Sequence, residues 1–141
     1  MRLSTTKLLL PALLSIFLSG CSHAESLVGV WRTDPAQWDN PTGHTNKIEG
    51  FYRIEFLKDG TFKFGQFMKG VTGQELPLPL TFGGKYQVVD SSHIKLELSK
   101  SMTTPSGGKP MTTSYSISDD TLDLQGLSDV TQTTKYHRVK Q

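Results

Sequence analysis

The chain has 141 residues, of which 35% are hydrophobic, with 15 basic and 13 acidic residues and a net charge of +2. Arg2 and Lys7 are the only charged residues before residue 21, so the rest of the chain carries 13 charges of each sign. This balance gives no support for nucleic-acid binding, which requires a clustered basic surface. The length fits one domain.

The N-terminal segment has the pattern of a secretory signal. Basic residues precede an apolar run over residues 8–18, which is too short to span a bilayer, and Leu18-Ser19-Gly20 then leads into Cys21. The tetrapeptide ending in Cys21 resembles the lipobox of bacterial lipoproteins. The alternative is an ordinary secretory signal followed by a free cysteine. The division is a signal peptide (1–20), a lipidated tether (21–26) and one folded domain (27–141).

The lipobox resemblance implies cleavage after Gly20, a diacylglyceryl thioether on Cys21 and acylation of its new amine by a fatty acid such as palmitate. Ser22 stands where lipoproteins retained in the inner membrane often carry Asp, so the resemblance implies an outer-membrane anchor facing the periplasm. Cys21 is the only cysteine, so no disulfide can form within the chain.

The domain alternates apolar and polar residues with period two, which indicates β-strands separated by turns. This predicts an all-β fold, a single small antiparallel up-and-down β-barrel of about eight strands. The predicted strands cover residues 27–33, 50–57, 61–68, 84–89, 93–98, 111–118, 121–124 and 134–140.

The predicted connections alternate between short and long. Short turns are expected at 58–60, where Gly60 supplies positive φ, at 90–92 and at 118–120. Long loops are expected at 34–49, 69–83, 99–110 and 125–133. The barrel would then be a cup with one end closed by tight turns and a mouth ringed by loops. A tether of five residues reaches at most ~18 Å, so the closed end is expected to face the membrane.

Two features resemble the lipocalin-like, or calycin, barrels. Gly29-Val30-Trp31 on the first strand matches their Gly-x-Trp signature, and Arg138 on the last strand stands where they usually place an arginine that stacks on the tryptophan. The resemblance implies that Trp31 and Arg138 close the barrel. A guanidinium over an indole contributes ~1–2 kcal/mol when partly desolvated.

The sequence offers little for catalysis, metals or cofactors. No two of the four histidines (His23, His44, His93 and His137) have the spacing of a metal site. No nucleophile elbow is present, and the acidic pair at residues 119 and 120 fits a turn. We therefore expect no enzyme, no metal and no cofactor, although loops can still bring His44 near another ligand.

The segment 75–82 is the most unusual in composition. Its prolines argue against a central strand and favour extended polyproline geometry. Leu76, Leu78, Leu80 and Phe82 are expected to form an apolar ridge on a mouth loop, either as a lid on the opening or as a docking edge. Trp38, on the neighbouring predicted loop, can join either arrangement.

These features favour a non-enzymatic module that holds a small apolar ligand or lipid at the barrel mouth. The alternative is an envelope protein–protein interaction module, an assembly factor or an inhibitor of a hydrolase, that uses the segment 76–82. The barrel interior is expected to be mostly filled, because an eight-stranded barrel is narrow and many rings point inward. These rings are Tyr52, Phe56, Phe62, Phe64 and Tyr86.

Overall fold

The computed structural model describes residues 26–40, 44–99, 108–127 and 132–140. The predicted signal peptide, Cys21 and most of the tether lie outside these residues. The described residues form nine strands: β1 (Gly29–Arg32), β2 (Ala36–Asp39), β3 (Lys47–Phe56), β4 (Thr61–Lys69), β5 (Glu75–Val88), β6 (His93–Leu98), β7 (Met111–Ser118), β8 (Thr121–Gln125) and β9 (Thr133–Arg138).

The sheet closes on itself. Consecutive strands from β3 to β9 pair antiparallel, and β1 pairs with β9 on one side and with β3 on the other. The fold is therefore a closed eight-stranded antiparallel barrel with β2 as one extra strand, and the predicted all-β barrel is confirmed. Closure removes most of the exposed strand edges that promote aggregation.

Alternation along the strands fills the barrel. Inward positions carry aromatic and branched side chains, while Lys and Glu residues alternate with them on the outer face. The buried cluster consists of Leu27, Trp31, Ile54, Phe56, Phe62, Phe64, Ile94, Leu96, Tyr115, Leu122, Leu124 and Tyr136. Tyr52 and Tyr86 pack against it partly buried, so all five rings that were predicted to point inward contribute to the interior.

Three hairpin turns lie at one end of the barrel, which we call the closed end. Gly60 has a φ of +82°, as its predicted turn requires, and its amide donates to the Leu57 carbonyl at 3.2 Å. In the last of these turns, Asp119 takes the left-handed conformation, with a φ of +52°. Gly29 pairs with Phe56 beside the first turn, so the folded domain begins at the closed end.

The first predicted long loop, 34–49, was wrong in part. It contains β2, which continues the direction of β1 after Pro35 and pairs with the first residues of β3. At the break, the Thr33 amide donates to the Tyr52 carbonyl, and the Thr33 hydroxyl accepts from the Tyr52 amide at 3.0 Å. These bonds keep the chain against β3 where proline interrupts the strand.

The second predicted long loop, 69–83, was also wrong. Lys69 ends β4, residues 70–74 form a tight turn, and β5 begins at Glu75. The prolines are tolerated because residues 75–82 lie at an edge: in the described residues their strand partner is β4, whereas β6 pairs only from Gly84 onwards. A bulge places residues 78–80 opposite Gln66.

Short and long connections consequently do not alternate strictly, because the β4–β5 turn at the mouth is also short. Instead, one side of the barrel extends further at the mouth than the other. We call the extended ends of β2 to β5 the mouth wall: residues 36–39, 47–50, 66–69 and 75–82. The other two predicted mouth loops, 99–110 and 125–133, fall largely on residues 100–107 and 128–131, which lie outside the described residues.

Candidate functional site at the barrel mouth

The closed end is sealed around Trp31. The Arg138 guanidinium carbon lies 4.0 Å from the Trp31 ring centroid. The Trp31 indole N–H donates to the Leu27 carbonyl at 2.8 Å, and Arg138 Nη1 donates to the Val28 carbonyl at 3.0 Å. Trp31 and Leu27 are both fully buried. Trp31 and Arg138, which were predicted to close the barrel, pair directly with each other across β1 and β9.

At the opposite end, a series of aromatic rings runs along the interior of the mouth wall. Trp38 lies 5.1 Å from Tyr52 between ring centroids, Tyr52 lies 5.6 Å from Phe64, and Phe64 lies 4.7 Å from Phe82. Trp38 and Phe82 were predicted on two separate loops. The fold instead places both on strands, joined through the partly buried Tyr52 and the core ring of Phe64, and both are half-buried.

Gly50 explains how Trp38 reaches this position. A β-carbon at Gly50 would lie 2.3 Å from the Trp38 ring, far inside van der Waals contact. Trp38 on β2 therefore lies across the bare backbone of β3. The sequence analysis placed Trp38 on a long loop near segment 75–82, because the pairing of Ala36 with Gly50 is not visible without the fold.

The leucines of β5 lie at the rim. Leu76 and Leu80 are 38% and 37% exposed, whereas Leu78 is half-buried. The bulge at residues 78–80 shifts the register by two residues, so Leu76 and Phe82 still pair with two residues of β4 that share one face, Met68 and Phe64. The segment belongs to a barrel strand and is therefore not the loop lid that was one of its two predicted roles.

Polar groups lie among the interior rings. Gln66 pairs with Tyr52 across β3 and β4, and its amide nitrogen donates to the Tyr52 hydroxyl at 3.4 Å. Tyr136 on β9 is fully buried, and its hydroxyl has no hydrogen-bond partner among the described protein groups. Burial, with a smaller contribution from Tyr52, raises the pKa of Tyr136, so its phenol stays protonated.

A second cluster, which the sequence did not indicate, lies on the outer face of the barrel. Phe51 and Phe67 stack at 5.9 Å, with Arg32 over Phe51 at 5.6 Å and Arg53 over Phe67 at 5.5 Å. Glu75 bridges the two guanidiniums at 3.0 and 3.3 Å. The arginines shield outward-facing rings from water. The only sign of this cluster in the sequence was that Phe51 and Phe67 occupy positions that the alternation assigns to the solvent-facing side of the strands.

A shallow groove of about 390 Å³ adjoins this cluster. Gly65 and Gly83 leave its floor bare, and Arg53, Lys63 and Phe67 form its sides. Both signs of charge line it, since Glu55 also faces the groove. The arrangement therefore selects no particular ligand charge.

The described histidines do not converge. His93 contacts Asp90 at 2.9 Å in the β5–β6 turn, His137 lies 3.6 Å from Asp34, and His44 is exposed. Within the described ranges no group of three or more His, Cys, Asp or Glu side chains is placed to hold a metal ion. In the same ranges no helix has the length and apolarity needed to cross a bilayer.

No model of a known protein family matches the chain, and no curated protein matches it.

Proposed function

We propose that this chain is a lipid-anchored lipoprotein of the bacterial cell envelope whose lipocalin-like barrel binds a small apolar ligand or lipid at its mouth, without catalysing a reaction. The observation that carries the proposal is the ring series from Trp38 through Tyr52 and Phe64 to Phe82. Trp38, Tyr52 and Phe82 are half-buried at the mouth, and Phe64 belongs to the buried core, so the series is continuous with the core. Small-molecule sites are lined mainly by apolar and aromatic side chains with a small number of polar groups, and here Tyr52 and Gln66 supply polar groups beside the rings.

The lower part of the barrel is unsuited to ligand binding. Trp31, Ile54, Phe56 and Phe62 fill it and are at most 1% exposed. A ligand would therefore lie against the mouth wall, above this packed layer. This arrangement favours a ligand that is only partly enclosed.

Binding can be tested with a fluorescent fatty-acid probe and by native mass spectrometry of the protein extracted in mild detergent. We expect Trp38→Ala to weaken probe binding by about tenfold or more, because it removes the outermost ring of the series. Phe67→Ala is the matched control, since it removes a ring from the outer face of β4 within the same mouth wall. A bare mass together with no probe binding to the wild type would reject the proposal.

The anchor is proposed from the lipobox resemblance at Cys21. We expect mass spectrometry to find the N-terminal peptide beginning at Cys21 with three acyl chains, and Cys21→Ser to move the protein from the membrane to the soluble fraction. Ser22→Asp is expected to shift it from the outer to the inner membrane. A wild type that is soluble and unmodified would reject the anchor.

The proposed orientation follows from the first described residues. The Ser26 carbonyl accepts from Arg138 at the closed end, five residues after Cys21. The closed end would face the bilayer and the mouth would face the periplasm. Cysteine scanning with a bulky periplasmic thiol reagent tests this: Val71→Cys, at the mouth turn, should react faster than Lys58→Cys.

The alternative is an envelope protein–protein interaction module, and the exposure of Leu76 and Leu80 favours it. It predicts a specific partner whose capture is lost in the double variant Leu76→Asp/Leu80→Asp. The fatty-acid probe separates the two functions, because this double variant should leave Trp38 and its ring contacts in place. An unchanged partner profile would exclude the β5 rim as the interaction surface.

A further inference from the structure

The buried hydroxyl of Tyr136 requires a hydrogen-bond acceptor. None of the described protein groups supplies one, although the side chain is 0% exposed. A buried hydroxyl without a partner destabilises the folded protein, because it has given up its hydrogen bonds to water. Tyr136 therefore presents an O–H donor toward the barrel interior.

Tyr52 supplies a second donor nearby. Its oxygen already accepts from Gln66 Nε2, which leaves the phenol hydrogen for another group. Strand register places Tyr52 and Tyr136 at the same level of the barrel: Trp31 on β1 pairs with Ile54 on one side and with Arg138 on the other, and each tyrosine lies two residues from one of these partners. Tyr52 also contacts Trp38 and Phe64, so the two donors lie where the ring series of the mouth meets the core.

The charges around this position exclude an anionic partner. Arg138 shares the inner face of β9 with Tyr136, but its guanidinium is committed to the Trp31 ring and to backbone carbonyls at the closed end. The other lysines and arginines of the described strands alternate onto the outer face. A buried carboxylate without a cation is strongly disfavoured. The donors therefore suit a neutral acceptor.

We propose that the ligand is an acyl chain ending in a neutral carbonyl, an ester or an amide rather than a free fatty acid, and that its carbonyl oxygen accepts hydrogen bonds from Tyr136 and Tyr52. The chain lies along the interior of the mouth wall, against Trp38 and Phe82. This inference rests on the proposed apolar-ligand function and specifies the polar group of that ligand.

The test uses the full protein in mild detergent and two soluble probes of equal chain length, methyl octanoate and octanoate, at neutral pH. We expect the ester to bind at least tenfold more tightly than the carboxylate. Tyr136→Phe should weaken ester binding by about tenfold, which is the effect of one lost hydrogen bond of about 1.4 kcal/mol. The carbonyl ¹³C resonance of labelled ester should shift on binding to the wild type and less with the variant.

Tyr115→Phe is the matched control. The Tyr115 hydroxyl donates to the Asp90 carbonyl at 3.2 Å, at the closed end, so its removal should leave ester binding unchanged. If Tyr136→Phe fails to fold, Tyr52→Phe and the ester–acid preference of the wild type provide the same test.

Three results would contradict the inference in distinguishable ways. If neither probe binds the wild type, the proposed function fails together with this inference. If both probes bind and Tyr136→Phe binds the ester as tightly as the wild type, the hydroxyl is satisfied by an ordered water and the carbonyl contact is wrong, while apolar binding stands. If octanoate binds more tightly than the ester, the neutral-acceptor inference is wrong.

Discussion

Arg138 lies over Trp31, with 4.0 Å between the guanidinium carbon and the ring centroid, and the two residues are also directly paired across β1 and β9. This cross-strand pair joins the first barrel strand to the last. Arg138 donates to the Val28 carbonyl at 3.0 Å and forms a 3.6 Å ion pair with Asp120. One side chain thus connects the start of the domain, the closing strand and a hairpin turn.

The Trp31–Arg138 contact should appear as coupling between two substitutions. Trp31→Leu and Arg138→Met should each lower the free energy of unfolding, Trp31→Leu by several kcal/mol because it leaves a cavity in the core. The double variant should lose less than the sum, by ~1–2 kcal/mol, because the cation–π contact is lost only once. Chemical denaturation of the four proteins measures this coupling, and strict additivity would contradict the contact.

We expect glycine at position 29 to be required for stability for two reasons: its positive φ and its closeness to Arg138. Its φ is +138°, and a β-carbon there would lie 2.8 Å from Arg138 Nη1. Gly29→Ala should cost on the order of 1–3 kcal/mol from backbone strain. Thermal unfolding measures the loss. Gly73→Ala, which also has positive φ but has nothing within 4 Å of the added carbon, separates backbone strain from displacement of Arg138.

Gly50→Ala should disturb the mouth without opening the core. The added methyl group would overlap the Trp38 ring, which must move away from Tyr52. We expect a shift of the Trp38 indole N–H resonance, an unchanged Trp31 resonance and weaker binding of the fatty-acid probe. An unmoved Trp38 resonance would show that β2 does not lie against β3 in solution.

Asp90 should contribute stability that is lost in acid. Hydrogen bonds from the Ser92 amide and from His93 lower the pKa of Asp90 from 3.8 to about 2. A carboxyl with a lower pKa in the folded than in the unfolded state stabilises the protein above the unfolded value, and loses this contribution as pH falls from about 4 toward 2. Asp90→Asn should therefore show a shallower loss of stability than the wild type over that range. Ser92→Ala keeps the backbone amide and should retain most of the slope.

Much of the barrel could be predicted from the sequence because it depends on local alternation. Tyr52, Ile54 and Phe56 on β3 face inward because they alternate with charged residues, and Gly60 marked its turn because few residues adopt positive φ. Segment 75–82 was placed wrongly because proline disfavours central strands but is accepted at an edge. The availability of an edge depends on where β6 begins to pair, which no local pattern contains.

The candidate site was likewise predictable from the sequence only in part. Residue type alone identified Trp38 and Phe82 as large apolar side chains near the mouth, but their connection through Tyr52 and Phe64 depends on strand register. The donor at Tyr136 was not predicted, because a tyrosine on an alternating strand gives no sign of whether its hydroxyl has a partner. The Phe51–Phe67 cluster was missed because arginines from two other positions cover it.

The sequence by itself determined that the domain is all-β, which side of each inner strand is buried, and that Trp31 and Arg138 belong to the first and last strands. Each of these follows from side-chain period or motif position along one segment. Only the tertiary structure decided that β2 pairs with β3, that Trp38 lies over Gly50 and that Tyr136 points a donor inward. These are contacts between segments distant in sequence, and their geometry is fixed by register, bulges and closure rather than by local preference.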